Sequence, residues 1–348
     1  MPLTYKGAEV PTSFATCSIG HSPEHTLPRK LEAIAAAGFD GIGLAMPDLL
    51  AHGASLALDG KEPDPANYDT LVLVGRDVRA LAQRNGLRIL MLQPFANFEG
   101  WGKGSSERAD AFARAEGWLR VAEAVGADLL QVGSSDSPGI ESATFDTLAA
   151  DFAELADLAA SRGIRVAYEN WCWATRAPRW KDVWDIVKKA DRPNLGLCLD
   201  TFQSAGGEWG SPTTASGLVD NTSGGGKKGE EAVFASWADS LRELSATVPP
   251  EKIFLLQISD AYKMSPPLPD KIDENGLRPR GQWSHDYRPL PYDGGYLPVK
   301  DFLHAVLGTG FRGWLSIEVF DGKAADKYDD MREFSQKAIK SLETLLKD

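Results

Sequence analysis

Short apolar runs of strand character alternate along this chain with longer stretches of helical periodicity, the pattern of repeated βα units. Eight such runs are readable: Ser13–Ser18, Gly41–Ala45, Arg88–Gln93, Leu129–Gly133, Arg165–Glu169, Leu195–Asp200, Ile253–Ser259 and Trp314–Val319. Apolar on both faces and joined by helices, they predict an α/β protein whose parallel sheet closes into a (β/α)₈ TIM barrel, one domain over residues 1–348. A doubly wound open sheet fits less well, because no Gly-x-Gly-x-x-Gly follows the first strand.

Helix starts and stops agree with this division. Thr26-Leu-Pro and Ser105-Ser-Glu-Arg offer capping hydroxyls, and Gly38, Gly86, Gly126, Gly163 and Gly310 each stand just before a predicted strand, as left-handed helix ends do. Two connections are too long for plain βα loops: Thr201 to about Glu230, and Asp260 to about Pro298. Both follow strands, so both belong to the C-terminal face of the barrel, where active sites are built. The tract Ser223-Gly-Gly-Gly-Lys-Lys-Gly in the first lacks the strand and the Gly-Lys-Ser/Thr ending of a phosphate loop and reads as a surface excursion.

Composition narrows the partners. The net charge of −12 argues against nucleic acid and anionic membranes, both of which demand a basic surface. The N-terminal stretch carries no apolar run of signal-peptide type, and no segment has the length of a spanning helix, so the expectation is a cytoplasmic protein. Three cysteines, Cys17, Cys172 and Cys198, suit reduced thiols, and Asn221-Thr-Ser is then an incidental sequon.

The chemistry stands at the ends of the last four strands, in Tyr168-Glu169-Asn170, Leu199-Asp200-Thr201, Leu256-Gln257-Ile258 and Ile317-Glu318-Val319. Each places an oxygen-bearing side chain inside an apolar stretch. A lone buried carboxylate is costly, whereas several facing one cation are compensated by it. Glu169, Asp200, Gln257 and Glu318 are therefore the candidate ligands of one divalent ion, an oxygen set that suits Mg²⁺ or Mn²⁺, admits Co²⁺ and suits Zn²⁺ less. A single glutamate at a strand end is as often a helix cap or an ion-pair partner, and Gln257 equally suits a hydrogen bond to a neighbouring strand.

These residues resemble the xylose-isomerase-like barrel superfamily of sugar-phosphate isomerases and epimerases, which also holds inosose and 3-dehydroshikimate dehydratases and endonuclease IV. The resemblance covers nearly the whole chain, and it implies metal ligands after strands five to eight at Glu169, Asp200, Gln257 and Glu318. Gln93-Pro-Phe-Ala-Asn-Phe-Glu-Gly-Trp101, Tyr168-Glu-Asn-Trp-Cys-Trp173, Cys198-Leu-Asp-Thr-Phe-Gln203 and Trp283-Ser-His-Asp-Tyr-Arg-Pro-Leu-Pro-Tyr-Asp-Gly-Gly295 resemble, more narrowly, fungal proteins of the 3-dehydroshikimate dehydratase type. Two positions depart from the superfamily. Gln203 stands where epimerase-like members carry a histidine, and Gly43 stands where many carry a glutamate, in Gly41-Ile-Gly-Leu44.

The resemblance implies a metal-dependent lyase acting on a small hydroxylated keto acid or sugar, with homo-oligomerisation left open. Glu169 or Glu318 is expected to serve as base, His21 or His285 as acid, and Arg288 to hold the substrate carboxylate. Gln93, Asn97, Trp101, Tyr168, Trp171 and Gln203 are the candidates for substrate contact, with Trp173 beside them. Two further readings remain: a metal-dependent isomerase, epimerase or inosose-type dehydratase, and a catalytically silent sugar-binding barrel. Endonuclease IV is disfavoured, because its trinuclear site needs many histidines and this acidic chain has five.

Overall fold

In the computed structural model, which describes residues 2–220 and 229–347, eight parallel strands close into a barrel. They are β1 (Thr12–Ala15), β2 (Gly41–Ala45), β3 (Arg88–Phe95), β4 (Leu129–Gly133), β5 (Arg165–Glu169), β6 (Leu195–Asp200), β7 (Ile253–Ile258) and β8 (Trp314–Ile317). Each pairs with the next in the chain, and β8 returns to pair with β1. Four of the predicted strands agree to the residue. The first ends early, because Thr16–Ser18 winds into a 3₁₀ turn, and β3 runs on through Pro94 to Phe95.

Side-chain alternation creates two cores. Outward residues such as Val166 and Tyr168 of β5 join a large cluster with the surrounding helices, while Met91, Leu129, Ala167, Cys198 and Leu255 form a separate cluster inside the barrel. Above that inner plug the inward positions turn polar: Gln93, Gln131, Glu169, Asp200 and Gln257 stand on five successive strands, β3 to β7, and all are buried. The register pairs Asp200 directly with Gln257 and staggers the others by two residues, since Gln131 pairs with Ala167 and Glu169 with Cys198.

The long connections are less bare than their sequence suggests. A helix, Thr201–Glu208, starts directly at the end of β6, because the Asp200 side chain caps it by accepting from the Gln203 N–H at 3.0 Å. In the second connection the helix Pro279–Asp286 and a two-residue strand, Tyr287–Arg288, pack over the barrel mouth. Ser105 caps its helix as expected, whereas Thr26 makes no side-chain cap bond. The Ser223 tract and the Asn221 sequon lie in 221–228, outside the described residues. Cys17, Cys172 and Cys198 are free thiols, and among the described residues no helix is long and apolar enough to cross a membrane.

Candidate active site

Glu169 ends β5, Asp200 ends β6, and Glu318 follows β8 by one residue; one oxygen from each lies within 4.8 Å of the other two. All three are buried, and Glu169 and Glu318 line a cavity of about 580 Å³ on the C-terminal face. Burial raises the Glu169 carboxyl well above the usual range, with the charges of Glu318 and Asp200 adding to it. Burial likewise raises Asp200, and lifts Glu318 to about 7, against the opposing pull of Arg288 in both cases.

Every oxygen of the cluster but one has a protein partner. Asp200 Oδ1 accepts from the Gln203 N–H, and its Oδ2 accepts from Arg288 at 2.6 Å. Glu318 Oε1 accepts from Gln93 at 2.9 Å and from Gln257 at 2.6 Å, and its Oε2 accepts from Arg288 at 3.4 Å. Glu169 Oε2 accepts from Trp171 Nε1 at 3.0 Å and from Gln131 Nε2. Glu169 Oε1 is buried with no partner at all. An orphaned carboxylate oxygen among three desolvated acids, offset by one guanidinium, leaves two negative charges for a dication to balance. The residues present therefore fit a divalent ion, and their oxygen donors are those of a hard one.

Gln257 lies against the same group but meets it through nitrogen. Its Nε2 donates to Glu318 Oε1 and, at 3.2 Å, to Gln93 Oε1, while its Oε1 accepts from Cys198 Sγ at 2.9 Å. A ligating role requires the amide to turn over.

Arg288 departs from the role expected of it. Its Nε donates to Ser259 Oγ, its Nη1 to Ser284 Oγ, and its Nη2 to Asp200, to the Glu318 carboxylate and to the Glu318 backbone carbonyl. The guanidinium is sandwiched between the rings of Phe202 and Phe320, at 4.6 and 5.2 Å from their centroids. The fork that was expected to grip a substrate carboxylate is turned onto the protein's own acids.

Of the two expected histidines, only His285 lines the cavity, with its ring edge-on to Trp173 at 6.3 Å. Burial lowers its pKa, so the imidazole is neutral at pH 7. His21 is exposed outside the cavity lining, its backbone N–H tied to His25 Nδ1.

Among the substrate candidates Gln93, Trp171 and Gln203 line the cavity. Tyr168, Asn97 and Trp101 do not. Tyr168 follows strand alternation outward, packs on Phe152 at 4.0 Å and donates its hydroxyl to Glu99. Asn97 accepts from Ser135 Oγ, and Trp101 donates to the Asn97 carbonyl and packs over Gly139, so both build the loop instead of facing the cavity.

Trp171 and Trp173 stack with centroids 5.2 Å apart and an interplanar angle of 21°. Trp171 lies flat over Gly133, where a Cβ would come within 2.1 Å of the indole. Only glycine at that strand end lets the ring reach Glu169. Gln131 was missed in the sequence, although it is the one polar side chain within Leu129-Leu-Gln-Val-Gly133, the same signal that marked Gln257. Cys17, Asn275, Gln282, Ser284 and Phe320 also line the cavity without having been singled out. Burial holds the Cys17 thiol up at about 12, so it is not a thiolate nucleophile at neutral pH.

Glu99 is a further buried acid, set behind the site. It accepts from the Ser135 N–H and the Tyr168 hydroxyl through Oε1, Oε2 has no partner, and burial lifts its pKa to about 7. A folded pKa above the unfolded value stabilises below the unfolded pKa and loses that contribution as pH rises through the folded one. Glu99→Gln, neutral throughout, is accordingly expected to gain stability over the parent by on the order of 2 kcal/mol at pH 8, and little at pH 5. Denaturant midpoints at the two pH values check this; an equal difference at both contradicts it.

A closed parallel barrel with buried carboxylates clustered at its C-terminal mouth has its polar residues where barrels of this kind build active sites. The model of the xylose isomerase-like TIM barrel family matches residues 31–342, and the chain belongs to that family. It is 33% identical over 334 residues to the 3-dehydroshikimate dehydratase of Neurospora crassa, covering 92% of this chain and 88% of that protein. It is 35% identical over 312 residues to the 3-dehydroshikimate dehydratase of Pseudomonas aeruginosa, spanning 89% of this chain but 38% of that longer protein. Among solved structures, a xylose isomerase-like TIM barrel/4-hydroxyphenylpyruvate dioxygenase fusion protein is similar at a TM-score of 0.69 and 29% identity, over 96% of this chain and 42% of that one.

Proposed function

We propose that this chain is a divalent-metal-dependent lyase that dehydrates 3-dehydroshikimate to protocatechuate, acting in the cytoplasm as one domain over residues 1–348. The observation that carries the reading is a cluster of three buried carboxylates beneath a cavity walled by aromatic and amide side chains, in a chain related along nearly its whole length to a protein of that name.

Glu169, Asp200 and Glu318 hold the ion in this reading, and Gln257 joins them if its amide oxygen turns inward. The all-oxygen set suits Mg²⁺ or Mn²⁺, with Co²⁺ admissible. The ion, when bound, supplies Lewis-acid polarisation of the substrate ketone. Arg288 keeps Asp200 and Glu318 in place and offsets part of their charge. The stacked faces of Trp171 and Trp173 suit the flat side of a six-membered ring.

With the carboxylates committed as ligands, proton transfer falls to His285. Its neutral imidazole takes a proton from a ring carbon and returns it to the departing hydroxyl, which leaves as water. The remaining ketone tautomerises to a phenol as the ring becomes aromatic, so one molecule of water is the whole change in composition. Gln203 favours dehydration over ketose epimerisation. Its Oε1 is held by the Cys172 N–H at 3.0 Å, and an amide carries no proton between carbons.

The test is to strip the purified protein with a chelator, restore Mn²⁺, Mg²⁺ or Co²⁺, and follow protocatechuate formed from 3-dehydroshikimate. Turnover that vanishes on chelation and returns with metal is expected. No product with any of the ions overturns the reading.

A further inference from the structure

Gln131 is a buried residue on β4, and its amide is held in one sense. Its Nε2 donates to Glu169 Oε2, which the Trp171 indole also approaches, so turning the amide over would set oxygen against a carboxylate oxygen. The geometry therefore fixes where Gln131 Oε1 points, and there that atom is buried without any partner while the residue lines the cavity. A buried acceptor left unpaired is expensive, so a partner must come from outside the protein.

Two hydrogen-bonded neighbours in the site, Glu169 and Gln131, thus each carry an orphaned oxygen. They differ in chemistry. The carboxylate oxygen suits a cation, whereas the neutral amide oxygen suits a hydroxyl hydrogen. Held by Glu169 itself, the Gln131 amide sits beside whatever substrate oxygen approaches the carboxylates. We infer that Gln131 is a specificity-determining residue, accepting a hydrogen bond from a substrate hydroxyl that neighbours the oxygen directed at the carboxylate cluster.

The inference rests on the proposed dehydratase reading for the choice of ligand and extends it to a demand for vicinal oxygens. A site built around a hydrogen bond to a substrate hydroxyl rejects the analogue that lacks it, because its own polar group is then left unpaired. A residue that served only to steady Glu169 would weaken every ligand alike.

The experiment measures binding of protocatechuate, 3-hydroxybenzoate and 4-hydroxybenzoate to the Mn²⁺-loaded protein by tryptophan fluorescence, alongside turnover of 3-dehydroshikimate. The parent is expected to prefer the dihydroxy acid over the better monohydroxy acid by about tenfold. In Gln131→Met that ratio falls to near one. Gln131→Glu keeps an acceptor in place and, when protonated, a donor to Glu169; it is expected to retain most of the preference. If the methionine variant does not fold, the parent ratio and the glutamate variant decide. A parent that turns over 3-dehydroshikimate yet shows no preference, or a methionine variant that keeps the ratio while losing metal affinity, overturns this inference alone. A parent that neither turns over the substrate nor binds the catechol acid overturns the dehydratase reading and this inference with it.

Discussion

Glu169→Gln is expected to lose the divalent ion while leaving the fold intact. The substitution keeps the volume and one acceptor for Trp171 and Gln131, and removes the negative charge whose Oε1 has no protein partner. The loss of metal affinity should exceed the roughly 10–100-fold that removing a supporting partner costs a metal site. In the parent, Mn²⁺ at about 100 times its Kd is expected to add about 2.7 kcal/mol of stability, and in the variant this increment disappears. The ion-free proteins should differ in the opposite sense. Burial, with the charges of Glu318 and Asp200 adding to it, raises the Glu169 pKa in the folded state, so the parent loses stability as pH rises, and the neutral variant does not. Calorimetric melting with and without Mn²⁺ at pH 5 and pH 8 reads both effects. A variant that keeps the metal increment contradicts the assignment of Glu169.

His285→Asn carries the second large effect. Loss of a positioned proton-transfer group costs roughly 10²–10⁴ in kcat. Because burial depresses the imidazole pKa, the working neutral form is lost only as pH falls below the ordinary histidine range, so the parent's kcat/KM declines on the acid side. In the asparagine variant that limb should flatten, with metal affinity unchanged, since His285 is not among the hydrogen-bond partners of the three carboxylates. A pH profile of kcat/KM for both proteins separates this from a collapse of the site. An unaltered acid limb in the variant excludes His285 as the proton carrier.

The barrel was legible in the sequence because strand and helix periods differ and because apolar runs buried on both faces mark parallel strands. The strand ends exposed Glu169, Asp200 and Glu318 for the same reason, as charged side chains interrupting apolar runs. Other roles depended on geometry that no spacing encodes. Tyr168 precedes Glu169 by one residue and therefore faces the opposite side of the sheet, which strand alternation alone would have settled. Arg288 was placed near the site by its loop, but the direction of its fork is set by Ser259, Ser284 and the two phenylalanine rings. His21 and His285 were indistinguishable as loop histidines until the helix Pro279–Asp286 carried one of them over the cavity. Gln131 lies on the fourth strand, before the four that carry the acids, yet its apolar setting matches that of Gln257.

The central claim is that three carboxylates from the closing half of the barrel share one divalent ion. Crystals of the Mn²⁺-loaded protein, measured at the manganese absorption edge, test it most directly. The account predicts a single anomalous peak within bonding distance of Glu169, Asp200 and Glu318. A peak that engages none of the three, or no peak at saturating Mn²⁺, would contradict it.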